Sequence, residues 1–169
     1  MTGAVVWLTG LPSAGKSTIA ATLAERIGDL GRPVEVLDGD VVRTELCADL
    51  GYSRADRDEN VKRIGYVASL LARHGVVAVC PVVSPYRAAR DAVRERAGER
   101  FVEVWVSTPV DVCAERDVKG LYARQRAGAM TGLTGVDDPY EEPLSPEIVL
   151  PTHELSVDDA VEAIVAVLT

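Results

Sequence analysis

Apolar residues fall along this chain in two alternating textures. Short runs of them occupy residues 5–9, 34–37, 76–80, 101–106 and 147–150. Runs of that length are strands, and an unbroken one such as 76–80 is the kind buried on both faces of a parallel sheet. The run at 101–106 alternates more, with Glu103 and Trp105 among its apolar residues. Between the runs the spacing turns helical. From residue 16 to about 27, Ile19, Leu23 and Ile27 recur every fourth position, and Gly28, Gly31 and Pro33 end the pattern. Residues 41–50 read as a short helix. Ser53 is a good N-cap for a long one over 54–73, stopped by Gly75. Residues 86–96 and 110–117 read as two more, and Ser156 with Asp159 forms a capping box for a last helix near the C-terminus.

Strands alternating with helices predict an α/β fold with a doubly wound parallel sheet. Ligands in such sheets lie beyond the carboxyl ends of the strands. With 169 residues, a single domain over 1–169 is expected, large enough for a core without disulfides. Residues 119–143 differ in character. Gly120, Gly128, Gly132, Gly135, Pro139 and Pro143 are interleaved with Arg124, Arg126, Asp137 and Asp138. So glycine-rich a stretch is expected to lie outside the core as a mobile lid.

The net charge of −8 argues against a nucleic-acid partner, which would call for a basic footprint. Arginine and lysine gather instead at 54–63, 87–100 and 116–126, as anionic small ligands would require. No apolar run reaches membrane-span length, and Met1-Thr2-Gly3 leads into a strand without the features of a signal peptide, so a soluble cytoplasmic protein is expected. Cys47, Cys80 and Cys113 lack metal-binding spacing and read as buried, reduced thiols.

Gly10-Leu11-Pro12-Ser13-Ala14-Gly15-Lys16-Ser17 fits the P-loop pattern, between a strand and a helix as that pattern requires. Its amides, with Thr18 just inside the helix, are expected to cradle the phosphates of ATP. Lys16 would reach the β- and γ-phosphates, and Ser17 would hold Mg²⁺. Asp38-Gly39-Asp40 follows the second strand, where two carboxylates can order the metal shell and accept a proton from a hydroxyl. In the charged stretch 56–63 most residues read as a solvated helix face with pairs such as Glu59–Arg63, but Arg57 and Asn60 share a face near the helix start. Ser84-Pro85-Tyr86-Arg87 follows the third strand. It reads both as a helix-initiating turn capped by Ser84 and as a place where Ser84 and Arg87 could meet phosphate or sulfate. His74 and His153 carry no partner pattern.

Together these segments resemble the adenylylsulfate kinase family of P-loop kinases. The resemblance runs through residues 10–18, Leu37-Asp38-Gly39-Asp40, Arg43, Gly51-Tyr52-Ser53, residues 56–65 and Ser84-Pro85-Tyr86-Arg87. It continues through residues 116–122, Thr134-Gly135 and residues 137–143. It implies a P-loop kinase fold with a Gly-rich lid at about 119–143, and transfer of the ATP γ-phosphoryl group to the 3′-hydroxyl of adenosine 5′-phosphosulfate. By that resemblance Asp38 is the main catalytic carboxylate and Asp40 assists. Ser17 and Asp38 serve the metal, and Arg116 joins residues 10–18 in binding ATP. Arg43, Arg57 and Asn60 hold the acceptor, Tyr52 stacks on its adenine, and Lys119 and Leu121 belong to the closing lid. Ser84 matches a serine that carries phosphate in some members.

The chain departs from the family pattern in the lid. Leu133 stands where an aromatic completes the adenine clamp, Ala129 and Thr131 replace an acidic and a basic residue, and Ala89 replaces an Asp. Two other readings follow. One is a relative acting on a different small hydroxyl acceptor in specialised metabolism. The other is a non-catalytic nucleotide-binding subunit of an ATP sulfurylase partner, against which Asp38, Lys16 and Ser17 argue. Exposed edges and helices would permit a homodimer.

Overall fold

The first strand, β1 (Ala4–Thr9), is buried along its whole length. The computed structural model describes residues 2–169; Met1, part of the amino-terminal stretch read above, lies outside them. The chain continues through α1 (Lys16–Asp29), β2 (Val34–Val36), α2 (Gly39–Glu45), α3 (Arg54–Arg73), β3 (Val77–Pro81) and α4 (Arg87–Ala97). It ends with β4 (Phe101–Val106), α5 (Val110–Arg116), α6 (Leu121–Arg126), β5 (Ile148–Leu150) and α7 (Val157–Leu168). The five strands form one sheet in the order β2-β3-β1-β4-β5, every pair parallel. The doubly wound expectation holds.

Alternation along the strands builds two cores, one on each face. Val6 and Leu8 of β1, Val77 and Val79 of β3 and Val104 of β4 pack with Ile19 and Leu23 of α1 and Ile164 of α7. Val5, Trp7, Ala78, Cys80 and Phe101 point the other way, toward Val61 and Ile64 of α3 and Val93 of α4. Glu103 faces that second layer too. It is buried because Arg90 of α4, itself buried, donates to its Oε1 at 2.9 Å, and Arg94 to its Oε2 at 3.1 Å. A buried carboxylate without such partners would be costly, so α4 is keyed to β4 by charge as well as by packing.

The predicted caps at Ser53 and Ser156 are present, each accepting from the amide three residues on. The cysteines are free and buried. Two expectations change. Ser84 does not cap α4. The N-cap is Tyr86, without a side-chain bond, because Ser84 turns into the left-handed region (φ 43°) and buries its hydroxyl. The 119–143 stretch is not excluded from the core either. It contains α6, and Tyr122, Leu133 and Thr134 are buried, the first two within the main apolar cluster. None of the described helices is long and apolar enough to cross a membrane.

Candidate active site

At the carboxyl end of β1 the chain turns sharply into the P-loop. Gly10 is needed there because a Cβ would lie 2.5 Å from the carbonyl oxygen of Val106, a backbone atom that cannot yield. Ser13 (φ 63°) and Gly15 (φ 107°) take left-handed conformations, the alternation that turns successive amides inward as an anion nest. Gly15 caps α1 without any side-chain bond, so the first-turn amides of the helix, at Lys16, Ser17 and Thr18, remain for phosphate oxygens. The loop is braced from behind. The carbonyl of Ala14 accepts from Thr108 Oγ1 (2.9 Å), Thr152 Oγ1 (2.8 Å) and Arg116 Nη1 (3.3 Å). Arg116 was anticipated at this nucleotide side; Thr108 and Thr152 were not.

Lys16 is buried, and without a phosphate its amine folds back to donate to the carbonyls of Gly10 (2.9 Å) and Leu11 (2.7 Å). Burial pushes its pKa down to about 7, an effect only partly offset by Cys113 and reinforced by Lys119. The amine can swing onto a triphosphate from this position and regain its proton there.

Across from the loop, Asp38 caps α2. Its Oδ1 accepts from the amides of Asp40 (2.9 Å) and Val41 (3.4 Å), which leaves Oδ2 without a protein partner among the described residues. One carboxylate oxygen thus fixes the side chain while the other stays unpaired. Asp40 pairs with Lys119, joining α2 to the stretch before α6. That stretch is packed against the P-loop in this structure. The amide of Val118 donates to Ser13 Oγ (3.1 Å), Tyr122 Oη donates to the Pro12 carbonyl (2.9 Å), and Leu121 packs against the main core.

The residues expected to bind the acceptor gather around residues 51–53 and the start of α3. Arg43 donates to the Gly51 carbonyl at 2.7 Å and lies 4.6 Å over the ring of Tyr52, which is 73 % exposed. Asn60 is only 6 % exposed, and its Oδ1 has no hydrogen-bond partner; Asp58 Oδ1 shares that condition. An orphaned buried acceptor costs about 1–3 kcal/mol unless a ligand supplies a donor. Arg57 is less free than the sequence suggested. Its guanidinium donates to the Tyr52 carbonyl (2.9 Å), Thr134 Oγ1 (2.9 Å) and the Gly132 carbonyl (2.7 Å), and pairs with Asp138 (2.9 Å). Three of its five N–H groups are held in hydrogen bonds and Asp138 neutralises its charge. Leu133 is buried, its amide held by Asp137 Oδ1 at 2.6 Å, whereas Tyr52 stands open.

Ser84 is the residue whose surroundings least suit direct chemistry. Its hydroxyl accepts from Trp7 Nε1 (3.0 Å) and lies within donor reach of Thr9 Oγ1 and the Val82 carbonyl (both 3.1 Å), fully enclosed.

A nucleotide-cradling loop, a buried lysine at its root and a capping carboxylate with one spare oxygen define a P-loop kinase, an ATP-dependent phosphotransferase. A family model described as adenylylsulphate kinase matches residues 2–151, and the chain belongs to that family, whose acceptor group is an alcohol. It is 52% identical over 162 residues to the adenylyl-sulfate kinase of Synechococcus sp. (strain JA-3-3Ab), covering 96% of this chain and 92% of that one. It is 53% identical over 162 residues to that of Gloeothece citriformis (strain PCC 7424), with the same coverage, 96% and 92%. The fold superposes on the Mycobacterium tuberculosis APS kinase solved in complex with AMPPNP and APS, with a TM-score of 0.94 and 41% identity over 99% of this chain and 98% of that one. A gluconokinase from Sinorhizobium meliloti, 20% identical with a TM-score of 0.65 over 98% and 90% of the two chains, shares the fold.

Proposed function

We propose that this chain transfers the γ-phosphoryl group of ATP to the 3′-hydroxyl of adenylylsulfate, giving ADP and 3′-phosphoadenylylsulfate. The observation that carries the reading is the pairing of Asp38, with one oxygen spare, and Asn60, with a buried oxygen lacking a donor, on the acceptor side of a complete P-loop. Membership of the family and the complex solved for its Mycobacterium tuberculosis member support the same substrates.

In this mechanism the P-loop amides and Lys16 hold the β- and γ-phosphates and neutralise charge on the transferring group. Asp38 Oδ2 positions the acceptor hydroxyl and takes its proton. Asn60 and a free Arg57 N–H bind the acceptor, with Arg43 beside them. Tyr52 offers an aromatic face to the adenine, and Leu133 closes the opposite side. Lys119, through Asp40, holds the lid over both nucleotides and keeps water from the phosphoryl group. Ser84 acts in this reading as a brace rather than as a covalent relay.

Ser17 Oγ and Asp38 Oδ2 have no protein partners among the described residues, and such a pair suits Mg²⁺, which binds through few protein oxygens together with phosphates and water. When bound, the ion would supply charge neutralisation on the phosphates. A second copy of the chain and an ATP sulfurylase are the protein partners to test. A relative from Thiobacillus denitrificans, 38% identical, was solved as a hexameric APS kinase, and this chain covers 29% of that one.

The direct test incubates the chain with MgATP and adenylylsulfate, follows ADP, and locates the new phosphate by ³¹P NMR. A 3′-phosphorylated product is expected. ADP release without such a product would reject the acceptor.

A further inference from the structure

Residues 132–142 touch both halves of the site. At one end, Gly132, Thr134 and Asp138 engage Arg57 on the acceptor side. In the middle, Gly135 lies against the P-loop so closely that a Cβ would sit 2.5 Å from Leu11 Cδ2. At the other end, the Tyr140 hydroxyl is 2.8 Å from Thr9 Oγ1. Thr9 is fully buried and immediately precedes Gly10. Its own proton goes to the Val83 carbonyl at 2.8 Å, so the phenol is the donor in the Tyr140–Thr9 bond.

Tyr140 is itself held from the far side. Arg90 lies 5.7 Å from its ring centroid, and the same guanidinium donates to the Ser84 carbonyl (2.6 Å), the Glu141 carbonyl (2.5 Å) and Glu103. The Glu141 amide donates to the Pro85 carbonyl at 2.8 Å, and Glu141 Oε2 accepts from the Arg87 amide at 2.8 Å. The segment therefore has a fixed base on α4 and the loop after β3. The Tyr140 phenol is its hydrogen bond to the strand that carries the P-loop.

We infer that Tyr140 is a positioning residue whose hydroxyl couples the P-loop to residues 132–138, so that nucleotide binding orders the acceptor side. Thr9 transmits the state of the loop root, Leu11 adds a steric contact at Gly135, and Arg57 receives the result. Tyr140 contacts Thr9 and Arg90 rather than Arg57, and it touches neither substrate in this scheme. The acceptor half of the prediction rests on adenylylsulfate as the acceptor; the coupling itself does not.

Tyr140→Phe keeps the ring beneath Arg90 and removes only the donor. Hydrogen exchange of residues 132–138 is followed with and without a non-hydrolysable ATP analogue, and steady-state constants are measured with both substrates. In the wild type, the analogue should slow exchange across 132–138. In the variant, affinity for the analogue alone should stay within about twofold while most of that protection is lost, and acceptor KM at saturating ATP should rise about five- to tenfold, the scale of one hydrogen bond, with ATP KM at saturating acceptor rising by the same factor because coupling is reciprocal. Thr9→Val, which deletes the same bond from the other side, should reproduce the pattern. The proposal is overturned if the analogue leaves 132–138 unprotected in the wild type, if Tyr140→Phe keeps wild-type protection, or if the variant loses affinity for the analogue alone as much as for the acceptor. A wild type that ignores adenylylsulfate would reject the proposed acceptor, and the exchange measurement would still decide the coupling.

Discussion

Lys16 reports nucleotide binding through its proton. Burial brings its amine from 10.5 to about 7 in the free protein. At about pH 8.5, some 1.5 units higher, roughly one amine in thirty is protonated, and charging it costs about 2 kcal/mol. A triphosphate next to the amine restores the charged form, because an opposite charge within a few ångströms favours it. Binding should therefore take up close to one proton at about pH 8.5 and about half a proton at pH 7, and affinity should fall about fifteenfold between the two. The sign for stability is the same. The unfolded amine holds its proton up to its ordinary value of 10.5 and the folded one only to about 7, so between those values the unfolded chain binds more protons. Lys16 thus makes the free protein more stable as pH rises through that window. Titration calorimetry with a non-hydrolysable ATP analogue, in two buffers of different ionisation enthalpy, counts the protons, and Lys16→Met should abolish the uptake. A binding enthalpy independent of buffer at about pH 8.5 would refute the reasoning, for it would mean that the amine is already charged or never meets the phosphates.

Asp38→Asn keeps the capping oxygen of α2, so thermal stability should hold while kcat falls about a hundredfold or more with little change in ATP affinity; near-normal turnover would remove Asp38 from the proton path. Ser84→Ala should keep turnover within about fivefold yet lower the melting temperature, because Trp7 Nε1 loses its buried partner at a cost of about 1–3 kcal/mol. Label on Ser84 that chases into product would contradict that. Leu133→Phe should tighten adenylylsulfate by up to about 1–3 kcal/mol through stacking, and should cost stability because the position is already buried. A weaker acceptor in a folded variant would mean that no purine lies against residue 133.

The parts of the site that the sequence displayed are those made of consecutive residues. The P-loop is legible because one loop must supply the glycines, the lysine and the hydroxyl, and the apolar run before it marks the strand that aims it. Asp38 was legible as a carboxylate just past a strand at the ligand-binding edge of the sheet, although that strand, β2, is separated from β1 by β3 rather than lying beside the loop. The bracing groups were not. Thr108 and Thr152 converge on the Ala14 carbonyl from the ends of two other strands, and Thr9 meets Tyr140 across 131 positions. No local spacing records such meetings. Glycine content misled at 119–143: glycines there permit the tight turns of the segment, while Tyr122 and Leu133 between them are buried in the core. Arg57 was recognised as a site residue, but three of its four contacts, those to Gly132, Thr134 and Asp138, depend on a segment 75 or more residues away.

The central claim is the identity of the acceptor, and its most direct measurement is kcat/KM of the wild-type chain at saturating MgATP for adenylylsulfate, adenosine 5′-phosphate and gluconate. A pocket whose buried polar groups are built for one acceptor rejects analogues that leave them unpaired by large factors. Adenylylsulfate should therefore exceed both others by about a thousandfold or more. An equal or higher value for gluconate or for adenosine 5′-phosphate would contradict the account.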